Sequence, residues 1–125
     1  MGRTKWLIAA ASLAAVLGAA QARAGDAALG AKVFNICKAC HEISKPNKKV
    51  GPSLQGVFGR KAGTLDGFPF SDAMKNSGVV WDADTLKAYL ADPKGNMPGN
   101  KMPFAGVKKA DDLENLLAYM AEASK

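Results

Sequence analysis

Five consecutive residues, Cys37 to His41, limit this chain more than any other feature, because two cysteines separated by two residues are followed at once by a histidine. This spacing is the attachment motif of c-type haem. Each thiol adds to a vinyl group of the porphyrin, and the adjacent imidazole becomes an axial ligand of the iron. A bare C-x-x-C could also be a redox dithiol, half of a zinc site or a disulfide, but the chain has no other cysteine or histidine. The motif therefore predicts one haem c bound through Cys37 and Cys40, with His41 as a ligand.

The first 24 residues have the pattern of a secretory signal peptide. A basic start containing Arg3 and Lys5 is followed by an apolar run over residues 6–20, and small residues stand at Ala22 and Ala24. An uncleaved membrane anchor is the alternative, but the run is shorter than the roughly 18 to 20 residues that span a bilayer. We therefore expect residues 1–24 to be a signal peptide cleaved after Ala24, which leaves one domain over residues 25–125 in the periplasm.

The positive charge of the chain falls once this leader is set aside. The formal net charge is +6, and three of the 17 basic residues lie in residues 1–24. Residues 25–125 keep 14 basic side chains, nearly all of them lysines, against 11 acidic ones, a net charge of +3. A mildly basic, lysine-rich surface favours steering toward acidic protein partners over recognition of phosphates. We therefore expect no nucleic acid partner.

Three segments have the apolar spacing of helices, over residues 27–40, 83–91 and 112–123. Asp26 and Asp82 stand where they can cap the first two, and Pro93 ends the second. A short helical turn over residues 71–77 is also predicted. Residues 41–70 show no periodicity and are rich in glycine and proline, as expected of a long loop with a function such as enclosing a haem. No strand alternation is present, so the sequence predicts an all-α fold.

The motif does not fix the second axial ligand. Ligation by two histidines of this chain is impossible because His41 is the only one, which leaves a methionine, a lysine, a tyrosine or an open position. Met74 and Met120 lie in predicted helical segments, where packing is the simpler role. Met97 and Met102 lie in a loop rich in proline and glycine, which can present a thioether to iron. Spacing alone does not separate these two.

Three motifs together resemble the class I cytochromes c, in particular the small soluble bacterial carriers related to mitochondrial cytochrome c. They are the haem motif, G-P-S-L-Q-G-V-F-G-R over residues 51–60, and P-K with N-K-M-P-F-A-G over residues 93–94 and 100–106. The resemblance implies the small cytochrome c fold, with three main helices and long loops wrapped around one covalently attached haem. It also implies that Met102, in the K-M-x-F run, is the axial ligand and that Met97 is an ordinary apolar residue.

The resemblance implies how the two ligands are supported. The carbonyl of Pro52 would accept the ring N–H of His41 and so fix its tautomer, as groups behind metal ligands commonly do. Tyr89 would lie beside the sulfur of Met102. The first and last helices would cross where four residues meet, namely Gly30, Phe34, Leu116 and Tyr119.

The surroundings of the haem propionates are also implied by the resemblance. Arg60 and Trp81 would face these groups, and Asn100 replaces the family's usual threonine there. Other positions depart from the family pattern and remove polar groups: Phe68 and Phe70 stand where tyrosines are frequent, and Met74 stands where an asparagine is frequent. Ile36 replaces a frequent lysine before the first cysteine. The family's redox tuning therefore does not transfer directly to this chain.

These features predict an electron carrier rather than an enzyme. Iron with a histidine and a thioether ligand has no vacant position for a substrate, and both ligands suit Fe(III) and Fe(II). We expect one-electron transfer between membrane redox complexes, such as a quinol-oxidising cytochrome complex and a terminal oxidase or photosynthetic reaction centre, or from a periplasmic dehydrogenase. The protein is expected to be a soluble monomer that docks through lysines near the haem edge, the candidates being Lys32, Lys38, Lys94, Lys101 and Lys108.

Two other classes of protein were weighed against this one. A monohaem peroxidase or gas-binding protein would need an open iron and a distal acid or base, whereas the only histidine is already a predicted ligand. A haem-free C-x-x-C thiol protein would need the βαβ pattern of thioredoxin-like proteins, which the sequence lacks. A dedicated acceptor for one dehydrogenase and a general respiratory or photosynthetic shuttle are both carriers, and the sequence does not separate them.

Overall fold

The structure is a computed structural model that describes residues 25–46 and 49–125, together with Gly2. Within these residues lie five helices, α1 (Ala27–Phe34), α2 (Asp72–Lys75), α3 (Ala83–Ala91), α4 (Pro93–Asn96) and α5 (Ala110–Ala123). The strand-like pairing of this part of the chain is one isolated antiparallel bridge between Lys61 and Val80. The predicted all-α fold with three main helices and long loops is confirmed.

The predicted signal peptide lies outside the described residues, apart from Gly2. In the part of the chain that is described, no helix is both long enough and apolar enough to cross a membrane.

The first helix begins where it was predicted to begin but ends earlier. The carboxylate of Asp26 accepts the amide N–H of Leu29 at 3.1 Å and so caps α1. The prediction that this helix continues to Cys40 is wrong, because α1 ends at Phe34. Beyond it the amide of Cys37 bonds the carbonyl of Phe34 at 2.8 Å, three residues back rather than four, so the backbone tightens into turns. The haem motif therefore lies on these turns and not on α1.

The third and fourth helices follow one another with a single residue between them. Asp82 and Thr85 form a capping box at the start of α3, which ends before Pro93 as predicted. That proline then occupies the first position of α4, where its missing N–H is not needed. The carboxylate of Asp92 caps α4 by accepting the amide N–H of Gly95 at 3.1 Å. Helix α4 was not predicted from the sequence, because a segment of four residues carries no apolar periodicity.

The last helix provides the main packing surface of the domain. Its predicted apolar stripe is buried, namely Leu113, Leu116, Leu117 and Met120, although α5 begins two residues earlier than predicted. α1 crosses it at Gly30, where a Cβ atom would overlap the carbonyl oxygen of Asn115. The ring centroids of Phe34 and Tyr119 lie 5.3 Å apart at the same crossing. The predicted contact of the first and last helices is confirmed, and it fixes the end of α1, from which the chain continues to the haem motif.

Candidate haem-binding site

A cavity of about 590 Å³ lies between the helices and the long loops. Its walls are mostly apolar, and most of the predicted site residues line it: Cys40, His41, Pro52, Arg60, Trp81, Tyr89 and Met102. Two predicted residues lie behind this surface. Cys37 packs against the buried core, and Asn100 is half-buried within the loop that carries Met102. The structure thus gathers one cysteine, an imidazole and a thioether around a single apolar space.

The ring of His41 is held by the two residues at the end of the loop that follows it. Its Nδ1 atom lies 2.7 Å from the carbonyl oxygen of Pro52. Because a carbonyl can only accept, Nδ1 carries the hydrogen and Nε2 keeps a free lone pair. A Cβ atom at Gly51 would lie 2.6 Å from Cε1 of the ring, so a glycine is needed for the backbone to pass this closely.

The protonation of His41 also suits ligation. Burial lowers the pKa of this imidazole, the positive charge of Lys49 acts in the same direction, and the hydrogen bond to Pro52 opposes both. The neutral imidazole is the form that binds a metal. His41 therefore has the position and the neutral form that an iron ligand needs.

Several contacts close the loop between the motif and Gly51. The amide N–H of Gly51 donates to the carbonyl of Cys40 at 2.7 Å. The ammonium of Lys49 donates to the carbonyl of Lys38 at 2.6 Å and pairs with the carboxylate of Glu42 at 3.5 Å. These contacts return the chain to the motif within a few residues, and we call residues 37–52 the motif side of the site.

The two motif cysteines are not joined to each other by a disulfide. Burial, with a smaller contribution from Cys40, raises the pKa of Cys37 to about 11. This thiol is therefore protonated at neutral pH. Their separation by two residues on a turn is the arrangement through which a c-type haem is attached.

Residues 93–106, here called the strap, carry both candidate methionine ligands. The side chain of Met97 is only 6% exposed and belongs to the buried core, and it does not line the cavity. Met102 is half-buried and does line it. Met74 of α2 and Met120 of α5 also reach the cavity wall. Of the two strap methionines, Met102 lines the cavity and Met97 does not, and three methionines in all line it.

A second wall of the cavity is formed by Trp81 and Tyr89, whose ring centroids lie 5.2 Å apart. Burial raises the pKa of the Tyr89 phenol to about 12, so the hydroxyl is a neutral donor at physiological pH. This hydroxyl donates to Oδ1 of Asn100 at 3.3 Å. Tyr89 thereby connects α3 to the strap.

Arg60 and Trp81 are brought together by a short pairing of two loop segments. The amide N–H of Trp81 donates to the carbonyl of Arg60 at 2.9 Å, and that of Gly59 donates to the carbonyl of Trp81 at 2.6 Å. The Arg60 guanidinium donates to the carbonyls of Ser53 and Gln55 at 2.9 and 3.2 Å. Burial lowers the pKa of Arg60, yet arginine stays a cation at neutral pH. A fixed positive charge therefore lies at the cavity wall, where an anionic group of a ligand would find it.

The residues that depart from the family pattern form an apolar part of the wall. Phe68, Phe70 and Met74 all line the cavity, and the two phenylalanine rings meet edge to face with centroids 4.7 Å apart. Three residues of the helical stripes also line the cavity, namely Leu86, Leu90 and Met120. The sequence favoured packing for Met120 and gave no role at the cofactor to the two leucines. Their spacing placed them on an inward face, but spacing does not distinguish a core of side chains from a cofactor.

The residues present fit a haem. The cavity offers apolar walls for the porphyrin faces, a cation for its carboxylates and a cysteine beside the histidine. The side chains that line it include an imidazole whose Nε2 is free and several thioethers. Imidazole nitrogen and thioether sulfur are the donor set that holds haem iron in c-type proteins. Together the fold and the site define a small all-α protein built to hold a covalently attached haem.

Comparison with known proteins agrees with this class. The family model described as Cytochrome c matches residues 27–124. The chain is 58% identical over 87 residues to cytochrome c2 iso-2 of Magnetospirillum fulvum, covering 70% of this chain and 91% of that protein. It is 48% identical over 102 residues to cytochrome c-550 of Nitrobacter winogradskyi, covering 81% and 94% of the two chains.

A solved structure is also similar. Cytochrome cH from Methylobacterium extorquens superposes with a TM-score of 0.73 at 49% sequence identity, covering 78% of this chain and 99% of that one. The chain belongs to the cytochrome c family. It is an electron-transport protein that binds one haem c through Cys37 and Cys40.

Proposed function

We propose that this cytochrome c carries single electrons with His41 and Met102 as the two axial ligands of its haem iron. The observation that carries the proposal is that both side chains line one cavity whereas Met97 is buried outside it. Met120 is only 3% exposed and lies on the packed stripe of α5, and Met74 lies on the short helix α2. Met102 alone combines a cavity position with the K-M-x-F run of the family's ligand loop.

The haem iron, when bound, supplies the one-electron chemistry, and the protein holds its surroundings constant. The bond from His41 to Pro52 fixes the ring at the cavity wall and leaves Nε2 free to bind the iron. A thioether such as that of Met102 is a soft ligand that raises the reduction potential. With both positions taken by side chains, no site is left for a substrate, and the protein acts as a carrier rather than an enzyme.

Substitution of each cavity or strap methionine tests the ligand assignment. Ferric protein with methionine bound to iron shows a weak long-wavelength absorption band, and Met102→Ala should abolish it. Met97→Ala and Met74→Ala, the matched controls, should retain the band because neither side chain is a ligand. A band that survives in Met102→Ala and disappears in Met74→Ala would contradict the assignment. A wild-type spectrum of high-spin iron that binds carbon monoxide or cyanide directly would favour an open site instead.

The proposal extends to the partners and to the way in which they are recognised. The partners would be a quinol-oxidising cytochrome complex and a terminal oxidase or reaction centre, or a periplasmic dehydrogenase. All five candidate docking lysines are exposed, namely Lys32, Lys38, Lys94, Lys101 and Lys108. Lys101 lines the cavity and donates to the carbonyl of Pro69 at 3.4 Å. Lys101 is exposed, so it can also attract an acidic surface.

The docking proposal is tested by the dependence of electron transfer on ionic strength. The rate of reduction by a purified quinol-oxidising cytochrome complex should fall as salt is added, because exposed charges are screened. Lys101→Gln should weaken this dependence, whereas Lys125→Gln, outside the candidate set, should leave it unchanged. A rate independent of salt in the wild type would contradict docking through lysines.

The proposal also places the folded domain at residues 25–125 after removal of the leader in the periplasm. The first residues of that domain are bound to α5, which supports this boundary. The amide N–H of Asp26 donates to Oδ1 of Asn115 at 2.8 Å, and a Cβ atom at Gly25 would overlap the carbonyl of Glu114. The intact mass of the purified protein should therefore equal that of residues 25–125 plus one haem, and a mass that includes residues 1–24 would contradict cleavage.

A further inference from the structure

One carboxamide on the strap makes an unusual number of contacts. Nδ2 of Asn100 donates to the carbonyl oxygens of Pro93 and Met97, each at 2.9 Å. Oδ1 of the same side chain accepts the amide N–H of Met102 at 3.0 Å and the hydroxyl of Tyr89 at 3.3 Å. The side chain thus bonds the beginning of the strap, its middle, the proposed ligand residue and α3.

These four bonds use the whole hydrogen-bonding capacity of the group. A primary carboxamide has two N–H donors and an oxygen with two lone pairs. In this structure both donors of Asn100 point into the strap, so a propionate could be reached only if one of these bonds were broken. The threonine that the family usually carries here has a single donor hydrogen and could not make the same set of bonds. The bonds of Asn100 therefore give this position a role within the strap that a threonine could not fill in the same way.

We infer that Asn100 is a positioning residue that holds Met102 on the iron and so controls how readily an external ligand replaces it. This inference rests on the proposed ligation by Met102. The segment from Asn100 to Met102 must move away from the cavity before another ligand can enter. If it leaves the first half of the strap, the bonds of Asn100 to Pro93, Met97 and Tyr89 must break with that motion. The apparent affinity of an entering ligand is its intrinsic affinity multiplied by the fraction of molecules with an open strap, and this fraction is small. Loss of the carboxamide raises that fraction.

Imidazole binding to the ferric holoprotein measures this opening directly. Asn100→Asp has nearly the same shape but lacks both donors, and its carboxylate faces the carbonyls of Pro93 and Met97. Binding is measured through the loss of the methionine–iron band. We expect the apparent affinity for imidazole to rise about ten- to hundredfold, because two hydrogen bonds to carbonyls are replaced by repulsion between the carboxylate and those carbonyls. Asn100→Thr keeps one donor and one acceptor and should give a smaller increase. This second variant also provides the test if Asn100→Asp does not fold.

Asn96→Ala is the matched control. Asn96 lies in α4 on the same strap, is exposed, and its side chain makes no hydrogen bond within the described residues, so its loss should change the imidazole affinity by less than about twofold. The helical circular dichroism signal should stay constant during each titration, because the strap opens without unfolding of the domain. An unchanged affinity in Asn100→Asp and Asn100→Thr, or a gain that appears only as the helical signal is lost, would overturn the inference. Absence of the methionine band from the wild type would overturn the proposed ligation and this inference with it.

Discussion

The two proposed ligands are held in different ways. On the motif side, His41 follows directly after Cys40, whose attachment to the haem is covalent, and its ring is bonded to the carbonyl of Pro52 at 2.7 Å and packed on Gly51. On the strap, Met102 is held by hydrogen bonds to and around Asn100, with no covalent link to the cofactor except through the iron. One side is fixed by covalent bonds and the other by contacts that can be broken reversibly.

The end of the strap shows the same dependence on reversible contacts. The amide N–H of Val107 donates to the carbonyl of Leu90 at 2.8 Å. The ammonium of Lys108 donates to the carbonyls of Ala105 and Ala91, at 2.6 and 3.3 Å. These bonds join the strap to the end of α3, so the position of Met102 depends on how closely the two backbones approach each other. Under the proposed ligation, the covalent side would retain the cofactor and the strap would supply the ligand that tunes it.

Of the changes considered for the two sides, the largest effect is expected from adding a methyl group at Gly106, on the strap. This residue has φ of +111°, and a Cβ atom there would overlap the carbonyl oxygen of Ala91. Gly106→Ala should destabilise the folded protein by about 2–5 kcal/mol, through backbone strain and overpacking together. We expect the methionine–iron band to be lost from the ferric protein while the haem stays attached and His41 stays bound, as checked by absorption spectra and denaturant unfolding.

Gly99→Ala is the control for this prediction. Gly99 also lies on the strap with φ of +89°, but a Cβ atom there would meet only the Cβ of Ala73 at 3.3 Å. It should therefore show the loss of stability due to backbone strain without displacement of the strap, and it should keep the methionine band at neutral pH. Retention of the full band in Gly106→Ala would show that approach to α3 does not position Met102.

The sequence predicted the parts of the site that depend on neighbouring residues. The haem motif and the caps at Asp26 and Asp82 each have a local signal, and each is found in the structure. The helix crossing at Gly30 was implied by the resemblance and is also found. The three main helices were predicted from apolar spacing, which is also a property of residues close together in the sequence. Where α1 ends was not predicted, because the apolar stripe does not distinguish helical hydrogen bonds from the tighter turns before Cys40.

The sequence could not predict contacts between segments that are distant along the chain. The four bonds of Asn100 join residues from α3 to Met102, and they exist only once the strap has folded against that helix. The resemblance assigned this position to the propionates because the family carries a threonine there. The close passage of Gly51 by the His41 ring is also invisible in a sequence, where it is one glycine among many in a loop.

A smaller effect is expected from the corresponding change on the motif side, Gly51→Ala. The added Cβ would lie 2.6 Å from Cε1 of His41 and 2.8 Å from the carbonyl oxygen of Cys40, so the ring must shift, and we expect its bond to Pro52 to weaken. The stability should fall by about 1–3 kcal/mol, as for other overpacked sites. A weaker bond at Nδ1 makes the imidazole a poorer donor to the iron. Since the ferric state depends more on that donation, the reduction potential should rise while the methionine band is kept.

Gly56→Ala separates this effect from a general loss of stability. Gly56 lies in the same loop region with φ of +70°, and a Cβ atom there would meet nothing within 4 Å, so backbone strain should lower the stability without moving the potential. Protein-film voltammetry and denaturant unfolding of both variants give the two quantities. If Gly51→Ala instead lost the methionine band as Gly106→Ala does, the two ligands would be held as one unit. A rise in potential with the band intact would show that the covalent side tunes the iron through its histidine, while the strap decides whether the sixth ligand stays bound.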